Sequence, residues 1–213
     1  MAEVRPLVNV VRLRGYSIFR MLQLEEALLR TDDRNWLLLN EGTEKPAIVM
    51  GISGKPPTLL NIPLVRKVGI PVIKRFTGGG TVVVDKDTLF ATLLMKQDDM
   101  PDVRPYPRDI MAFMEAFYQH VFAKPGAEAF RLRENDFVFG NRKFGGNAQS
   151  ITKLRWLHHT SFLWDYQDQN MDLLRHPDRA PDYRKGRAHG DFLCKLREHF
   201  ETKGKFDGYA TLR

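Results

Sequence analysis

A chain of 213 residues, 43% of them hydrophobic, can bury one sizeable core and is short for two ordinary domains, so one compact domain is expected. Its formal net charge of +7 is scattered through every segment, without a basic block or arginine-rich tail, which weighs against a nucleic-acid footprint and suits an acidic partner surface. A lone cysteine, Cys194, excludes an internal disulfide, and no apolar run approaches the ~20 residues that span a bilayer, so a chain with no membrane partner is expected in a reducing compartment, the cytoplasm or else an organelle.

Arg5, Arg12, Arg14 and Arg20 lend the first residues the flavour of an organelle-targeting segment, but residues 8–12 have the pattern of a strand leading to a helix and belong with the folded domain. Ser17 is placed to cap a helix whose apolar side holds Ile18, Met21, Leu22, Leu28 and Leu29, with Glu25 and Glu26 interrupting it. Residues 36–40 and 47–50 have strand composition, and 51–57 break the pattern as a loop. Pro71-Val72-Ile73 leads into Arg75-Phe76-Thr77-Gly78-Gly79-Gly80, a strand follows at 81–84, and residues 89–95 are apolar enough for a buried strand. Ile110, Phe113, Met114, Phe117 and Val121 recur at helical spacing after Pro107 and predict a second helix covering the sheet. Residues 135–149 predict strand, tight turn at Gly140-Asn141, and strand. Alternation over 156–165 puts His159 and Ser161 on one face and His158, Thr160 and Phe162 on the other. The basic stretch 183–189 fits a solvated loop, and Phe192, Leu193, Leu196 and Phe200 form a helical stripe in a last helix that carries Cys194.

Three of these segments carry chemistry. Gly78-Gly79-Gly80 strips side chains from the backbone, allowing close approach to a ligand, while Lys74 and Arg75 beside it can neutralise a carboxylate or phosphate; the alternative is an ordinary flexible turn. A nucleotide P-loop is excluded, because the G-x-x-x-x-G-K-[ST] spacing is missing and the chain continues as a strand; the dinucleotide fingerprint fails likewise. The second segment returns Lys143 beside its own first strand, next to Gly145 and Gly146, where its ammonium can hold a carboxylate and polarise a carbonyl or phosphoryl oxygen; the alternative is a solvated hairpin lysine. In the third, His158 and His159 suggest a metal, but adjacent strand residues face opposite ways and nothing completes a ligand set, so a buried hydrogen-bonding histidine is the plainer expectation.

In order and spacing the three segments resemble the lipoate-protein ligase branch of the biotin/lipoate ligase and octanoyltransferase superfamily, over roughly residues 8–175. Lys74-Arg75-Phe76-Thr77-Gly78-Gly79-Gly80 running to Val84-Asp85 is similar to that family's glycine motif. Asn135-Asp136, then Lys143-Phe144-Gly145-Gly146-Asn147-Ala148-Gln149, resembles its lysine motif, and His158-His159-Thr160-Ser161-Phe162-Leu163 its histidine strand. The resemblance implies a single α+β domain across 1–213, with a mixed, largely antiparallel sheet flanked by helices, like class II aminoacyl-tRNA synthetases and biotin synthetases. It also implies a ligase with ATP as co-substrate and Mg2+, forming lipoyl-adenylate from lipoate or a related medium-chain acid. The acyl group then passes to a lysine of lipoyl-acceptor domains in 2-oxoacid dehydrogenase or glycine cleavage proteins. On this resemblance Lys143 is catalytic, and Arg75, Thr77, Gly78, Gly79 and Gly80 line the acyl and phosphate side. Asn135, Asp136, Asn147 and Ala148 hold the adenylate, His159 and Ser161 complete the wall, and Asp136 is the nearest neighbour of the metal.

Departures accompany the match. Val84 stands where many relatives have a histidine, Lys74 replaces an arginine and loses its planar fork, and Gly51-Ile52-Ser53-Gly54 lacks a frequent glutamine-asparagine pair. The chain has no room for the small C-terminal domain, on the order of a hundred residues, that bacterial ligases often carry, so the resemblance implies a separate accessory protein, activation without that domain, or transfer of a preformed acyl-adenylate only. Three alternatives remain at this point. One is an octanoyl or lipoyl amidotransferase using Cys194 as nucleophile, with Lys195 and His199 lowering its pKa. The second is a biotin ligase, and the third a non-catalytic binder of acceptor domains or RNA.

Overall fold

The computed structural model describes residues 6–122, 129–176 and 180–201, so Arg5 lies outside them. Strand β1 (Val8–Arg14) runs parallel to β2 (Asn35–Glu41), with α1 (Ile18–Thr31) as the crossover between them. Then come β3 (Ala47–Met50), short helices α2 (Pro56–Leu59) and α3 (Ile62–Val68), β4 (Val72–Lys74), β5 (Val82–Val84) and β6 (Thr88–Lys96). The long α4 (Pro107–Phe122) precedes β7 (Phe130–Arg133), β8 (Asp136–Phe139), β9 (Arg142–Ile151), β10 (Arg155–Leu163) and the single-turn α5 (His189–Phe192). The main sheet has the order β1-β2-β6-β10-β9-β8-β7 and is antiparallel apart from the β1–β2 pair; a second sheet, β4-β3-β5, is mixed. The expected α+β fold with a mixed, largely antiparallel sheet is therefore what the chain forms.

The central strands β6 and β10 are buried along nearly their whole length; β6 is accordingly a near-continuous apolar run, whereas β10 buries Arg155, His158, His159, Thr160 and Ser161 among its apolar residues. On one face α4 sets Ile110, Met111, Met114, Tyr118 and Phe122 against Phe130, Phe137, Phe139, Phe144 and Phe162, so its aromatics are core, as their spacing predicts. On the other, Ile18, Met21, Leu22 and Leu29 of α1 meet Phe90, Leu94 and Leu157, together with Ala47, Val49 and Val84 of the small sheet. Helix and small sheet cover this second face incompletely, and the gap is the cavity described below.

Five local expectations change. Ser17 precedes α1 but makes no side-chain cap; Thr43 Oγ1 accepts from the Ile18 amide at 3.0 Å instead. Glu25 does not interrupt the packed face of α1 but is fully buried in it. Residues 56–59 add a helical turn where a loop is expected. The last helix is broken: after α5, Leu193 pairs with Lys143 as an isolated parallel bridge and the Cys194 amide donates to the Lys143 carbonyl at 2.9 Å, before a 3-10 turn at Leu196–Glu198. This pairing to β9 draws the chain out of the helical conformation its apolar spacing favours. Likewise the basic stretch 183–189 is no simple solvated loop, because Tyr183 and Arg184 are buried.

Candidate functional site

A cavity of about 630 Å³ opens between the two sheets. Ile18, Val49, Val82, Val84 and Phe90 make an apolar side, and Lys143, Asp136 and Asn135 enter from β8 and β9. Every residue expected in the site lines this space except Thr77, which is buried behind it.

The glycine run owes its shape to Arg75. Its Nε donates to Thr77 Oγ1 at 3.0 Å and to the Gly78 carbonyl at 3.1 Å, and its Nη2 donates to the carbonyls of Gly78 at 2.7 Å and Gly80 at 2.9 Å. These bonds commit one edge of the guanidinium to the loop, so Arg75 builds the wall in addition to carrying charge. Burial draws its pKa down to about 10, which leaves it protonated. Gly79 sits at φ +96°, and a Cβ there would lie 2.8 Å from Arg75 Nη2 and 3.3 Å from the Asn147 carbonyl oxygen. Gly51 presses on the run from outside, where a Cβ would fall 2.3 Å from the Gly79 carbonyl oxygen. Sequence reasoning left Gly51 without a role, because a glycine inside a loop gives no sign of which backbone it must approach.

Lys143 reaches the cavity through a bulge. The β8–β9 register slips between Phe137 and Val138, so Phe137 opposes Gly145 while Val138 opposes Lys143, and Phe144 is the extra residue. Phe144 then enters the aromatic core, while the lysine side chain passes over Gly146 and places Nζ 2.7 Å from Asp136 Oδ1. Asp136 Oδ2 accepts from the Tyr183 hydroxyl at 2.8 Å. Burial, and then the Asp136 charge, push the Tyr183 pKa far up, so the hydroxyl stays a proton donor. Asp136 is thereby fixed from two sides and in turn fixes Lys143.

Strand β10 divides its histidines between faces as alternation predicts. His159 and Ser161 line the cavity. His159 Nδ1 lies 2.8 Å from Glu25 Oε1 and 3.0 Å from Thr92 Oγ1, and Thr92 Oγ1 donates to Glu25 Oε1 at 2.7 Å. With acceptors on that side, Nδ1 carries the hydrogen. Glu25 is absent from the sequence-derived site; the one available signal is a carboxylate sharing a helix face with Met21, Leu22 and Leu29. On the reverse face, burial and then the neighbouring His159 hold the His158 pKa down to about 3. Neutral His158 takes the amide of Gln149 at Nδ1, 3.0 Å away, and donates from Nε2 to Asn147 Oδ1 at 2.9 Å. Asn147 Oδ1 also accepts from Thr160 Oγ1 at 2.8 Å, and its Nδ2 donates to the Asn135 carbonyl at 3.0 Å. The Asn147 side chain thus braces two strands, and its carbonyl lies on the glycine-run side.

Ala180, Pro181, Arg184, His189, Phe192 and Leu193 supply a further wall that the sequence did not reveal. Cys194 lies outside it, buried against the core with Sγ donating to the Arg142 carbonyl at 3.6 Å. Among the described residues no three His, Cys, Asp or Glu side chains cluster as a metal site, and no helix is long and apolar enough to cross a membrane.

A family model for the lipoyl protein ligase A/B catalytic domain matches residues 17–206. The chain belongs to this family. Among curated members it is 26% identical to a Plasmodium falciparum (isolate 3D7) protein named inactive lipoate–protein ligase 2, over 90% of this chain and 64% of that one. It is 29% identical to the lipoate-protein ligase LplJ of Bacillus subtilis (strain 168), over 68% of this chain and 42% of the relative. The chain therefore spans less than two thirds of these relatives' length. In fold it is similar to lipoate-protein ligase A bound with ATP, with TM-score 0.73, 16% identity and coverage of 96% of this chain and 82% of the other. It is equally similar to a bipartite lipoate protein ligase from Thermoplasma acidophilum, with TM-score 0.73, 19% identity and coverage of 95% and 80%. In this lipoyl protein ligase domain the three motifs singled out in sequence share one cavity.

Proposed function

We propose that this domain activates lipoate, or a related medium-chain acid, with ATP and passes the acyl group to a lysine of an acceptor protein. The observation that carries the reading is the placement of Lys143 in a cavity with an apolar side and a bare glycine backbone. An aliphatic acid has somewhere to lay its chain, and its carboxylate a cation to meet. In the first step a carboxylate oxygen attacks the α-phosphorus and pyrophosphate leaves. In the second the acceptor amine attacks the acyl carbon and AMP leaves. Both steps develop negative charge on oxygen near the mixed anhydride, where the Lys143 ammonium, oriented by Asp136, stabilises it.

A relative solved with ATP supports the co-substrate, and one solved as a bipartite ligase with its E2 lipoyl domain supports an acceptor domain and a separate accessory protein as partners. Mg2+ usually binds through phosphate oxygens, waters and one or two carboxylates; Lys143 and Tyr183 already engage both oxygens of Asp136, so the ion would be held mainly by waters and by phosphate oxygens, whose charge it would neutralise. The thioester alternative needs Cys194 at the acyl group, and its buried place outside the cavity wall speaks against that. The relative named inactive favours keeping a non-catalytic reading in the test.

Purified protein should exchange pyrophosphate into ATP when lipoate is added. Absence of exchange, with or without an accessory-domain protein, overturns the ligase reading. Acceptor binding that persists in Lys143→Ala without any turnover would establish the non-catalytic one.

A further inference from the structure

The wall formed by the segment after residue 179 holds a cation that has no role in the chemistry so far. Arg184 is 3% exposed and lines the cavity with Lys143 and His189. Its placement is built in detail. A 3-10 turn at Asp182–Arg184 delivers it, and Lys185 at φ 50° and Gly186 at φ 72° then reverse the chain. That reversal lets Arg184 Nε donate to the Arg187 carbonyl at 3.0 Å, while Arg187 Nε donates back to the Arg184 carbonyl at 3.1 Å. Arg187 Nη2 ties the turn to the Asn141 carbonyl at 3.0 Å, and the Arg184 guanidinium lies 4.9 Å from the Phe192 ring centroid. One face and the Nε edge are thus satisfied, yet Nη2 is buried with no hydrogen-bond partner among the described residues.

A fixed, buried guanidinium with an unmet donor is costly unless something anionic completes it. The anion in its vicinity, Asp136, already has its two oxygens engaged by Lys143 and Tyr183. Burial, then the charges of Arg184, His176 and Lys143, hold the His189 pKa down to about 4, with Asp172 acting in the opposite direction.

We propose that Arg184 is a phosphate-binding residue of this site, its guanidinium edge taking phosphoryl oxygens of the bound nucleotide beside Lys143. The fork geometry of arginine matches phosphate, and its rigid mounting lowers the entropy cost of each bond. The proposal rests on the nucleotide-activating reading of the same cavity.

The test is titration calorimetry of the full chain with ATP, with inorganic pyrophosphate and with lipoate, for wild type, Arg184→Gln and Arg184→Lys. Arg184→Gln should weaken ATP and pyrophosphate about ten-fold or more while lipoate changes by less than about two-fold; Arg184→Lys should fall between. The ligand-free melting temperature of Arg184→Gln should hold or rise, because an unmet buried charge is removed. A lower melting temperature with phosphate affinities equal to wild type would overturn the proposal and make Arg184 a structural staple. Wild-type protein that binds neither phosphate ligand also refutes it. Arg184-dependent pyrophosphate binding without lipoate-dependent exchange would sustain the phosphate site and reject the activation reading.

Discussion

Replacing Gly79 by alanine should damage the fold, whereas the same change at Gly78 or Gly80 should not. At φ +96° an L side chain costs roughly 1–2 kcal/mol. The new methyl would also stand 2.8 Å from Arg75 Nη2, the nitrogen that donates to Gly78 and Gly80, and 3.3 Å from a backbone oxygen. Weakening one hydrogen bond from a buried charged group adds roughly 1.5–3 kcal/mol, for a sum of about 3–5 kcal/mol. At roughly 2–4 °C per kcal/mol for a chain of this size, Gly79→Ala should melt about 6–20 °C lower. A Cβ at Gly78 or Gly80 meets nothing within 4 Å and neither has positive φ. Those variants should keep their melting temperature or gain up to about 1 kcal/mol from reduced unfolded-state entropy. Both glycines line the cavity, so their methyls should appear in substrate KM instead. Thermal unfolding of the three single variants, with urea titrations to convert to free energy, decides the matter. Equal losses at all three positions would refute the argument that Arg75 and the backbone at Gly79 together set the wall.

Lys143→Ala should lower lipoate-dependent pyrophosphate exchange about 100- to 1,000-fold, and Cys194→Ser should leave it standing; the opposite pattern would restore the thioester mechanism. Tyr183→Phe removes the hydroxyl that anchors Asp136 at 2.8 Å and should cost roughly 1.5–3 kcal/mol of stability with a fall in kcat, since Lys143 loses its fixed partner; unchanged urea midpoint and kcat would count against that relay. The His158 pKa lies at about 3 in the folded chain against 6.5 when unperturbed, so its contribution is intact above pH 6.5 and is lost as pH falls toward 3. That window should show about 1.4 kcal/mol of lost stability per pH unit from this residue, with His189, held down to about 4, adding in the same direction below pH 6.5. Urea curves at several pH values should give a shallower slope for His158→Gln; an identical slope would refute the assignment.

Sequence alone sufficed for most strands and for the long helix α4, because apolar period and turn chemistry are local properties. The split of His158 from His159 follows from alternation, and the presence of Lys143 beside glycines from order along the chain. What escaped it were contacts between distant segments. Glu25 looks like a fault in an apolar stripe until β10 brings His159 within 2.8 Å, and Gly51 looks idle until the run at Gly79 folds against it. Residues 183–194 have the pattern of a basic loop and a helix, yet pairing with Lys143 extends the chain at Leu193, Tyr183 is buried, and Arg184 lines the cavity. The sequence by itself determined which backbone is bare and which side chains carry charge. Only the tertiary structure decided that the glycine run closes around Arg75 and that Asp136 holds Lys143, because those pairings depend on a bulge and on strand neighbours far apart in the chain.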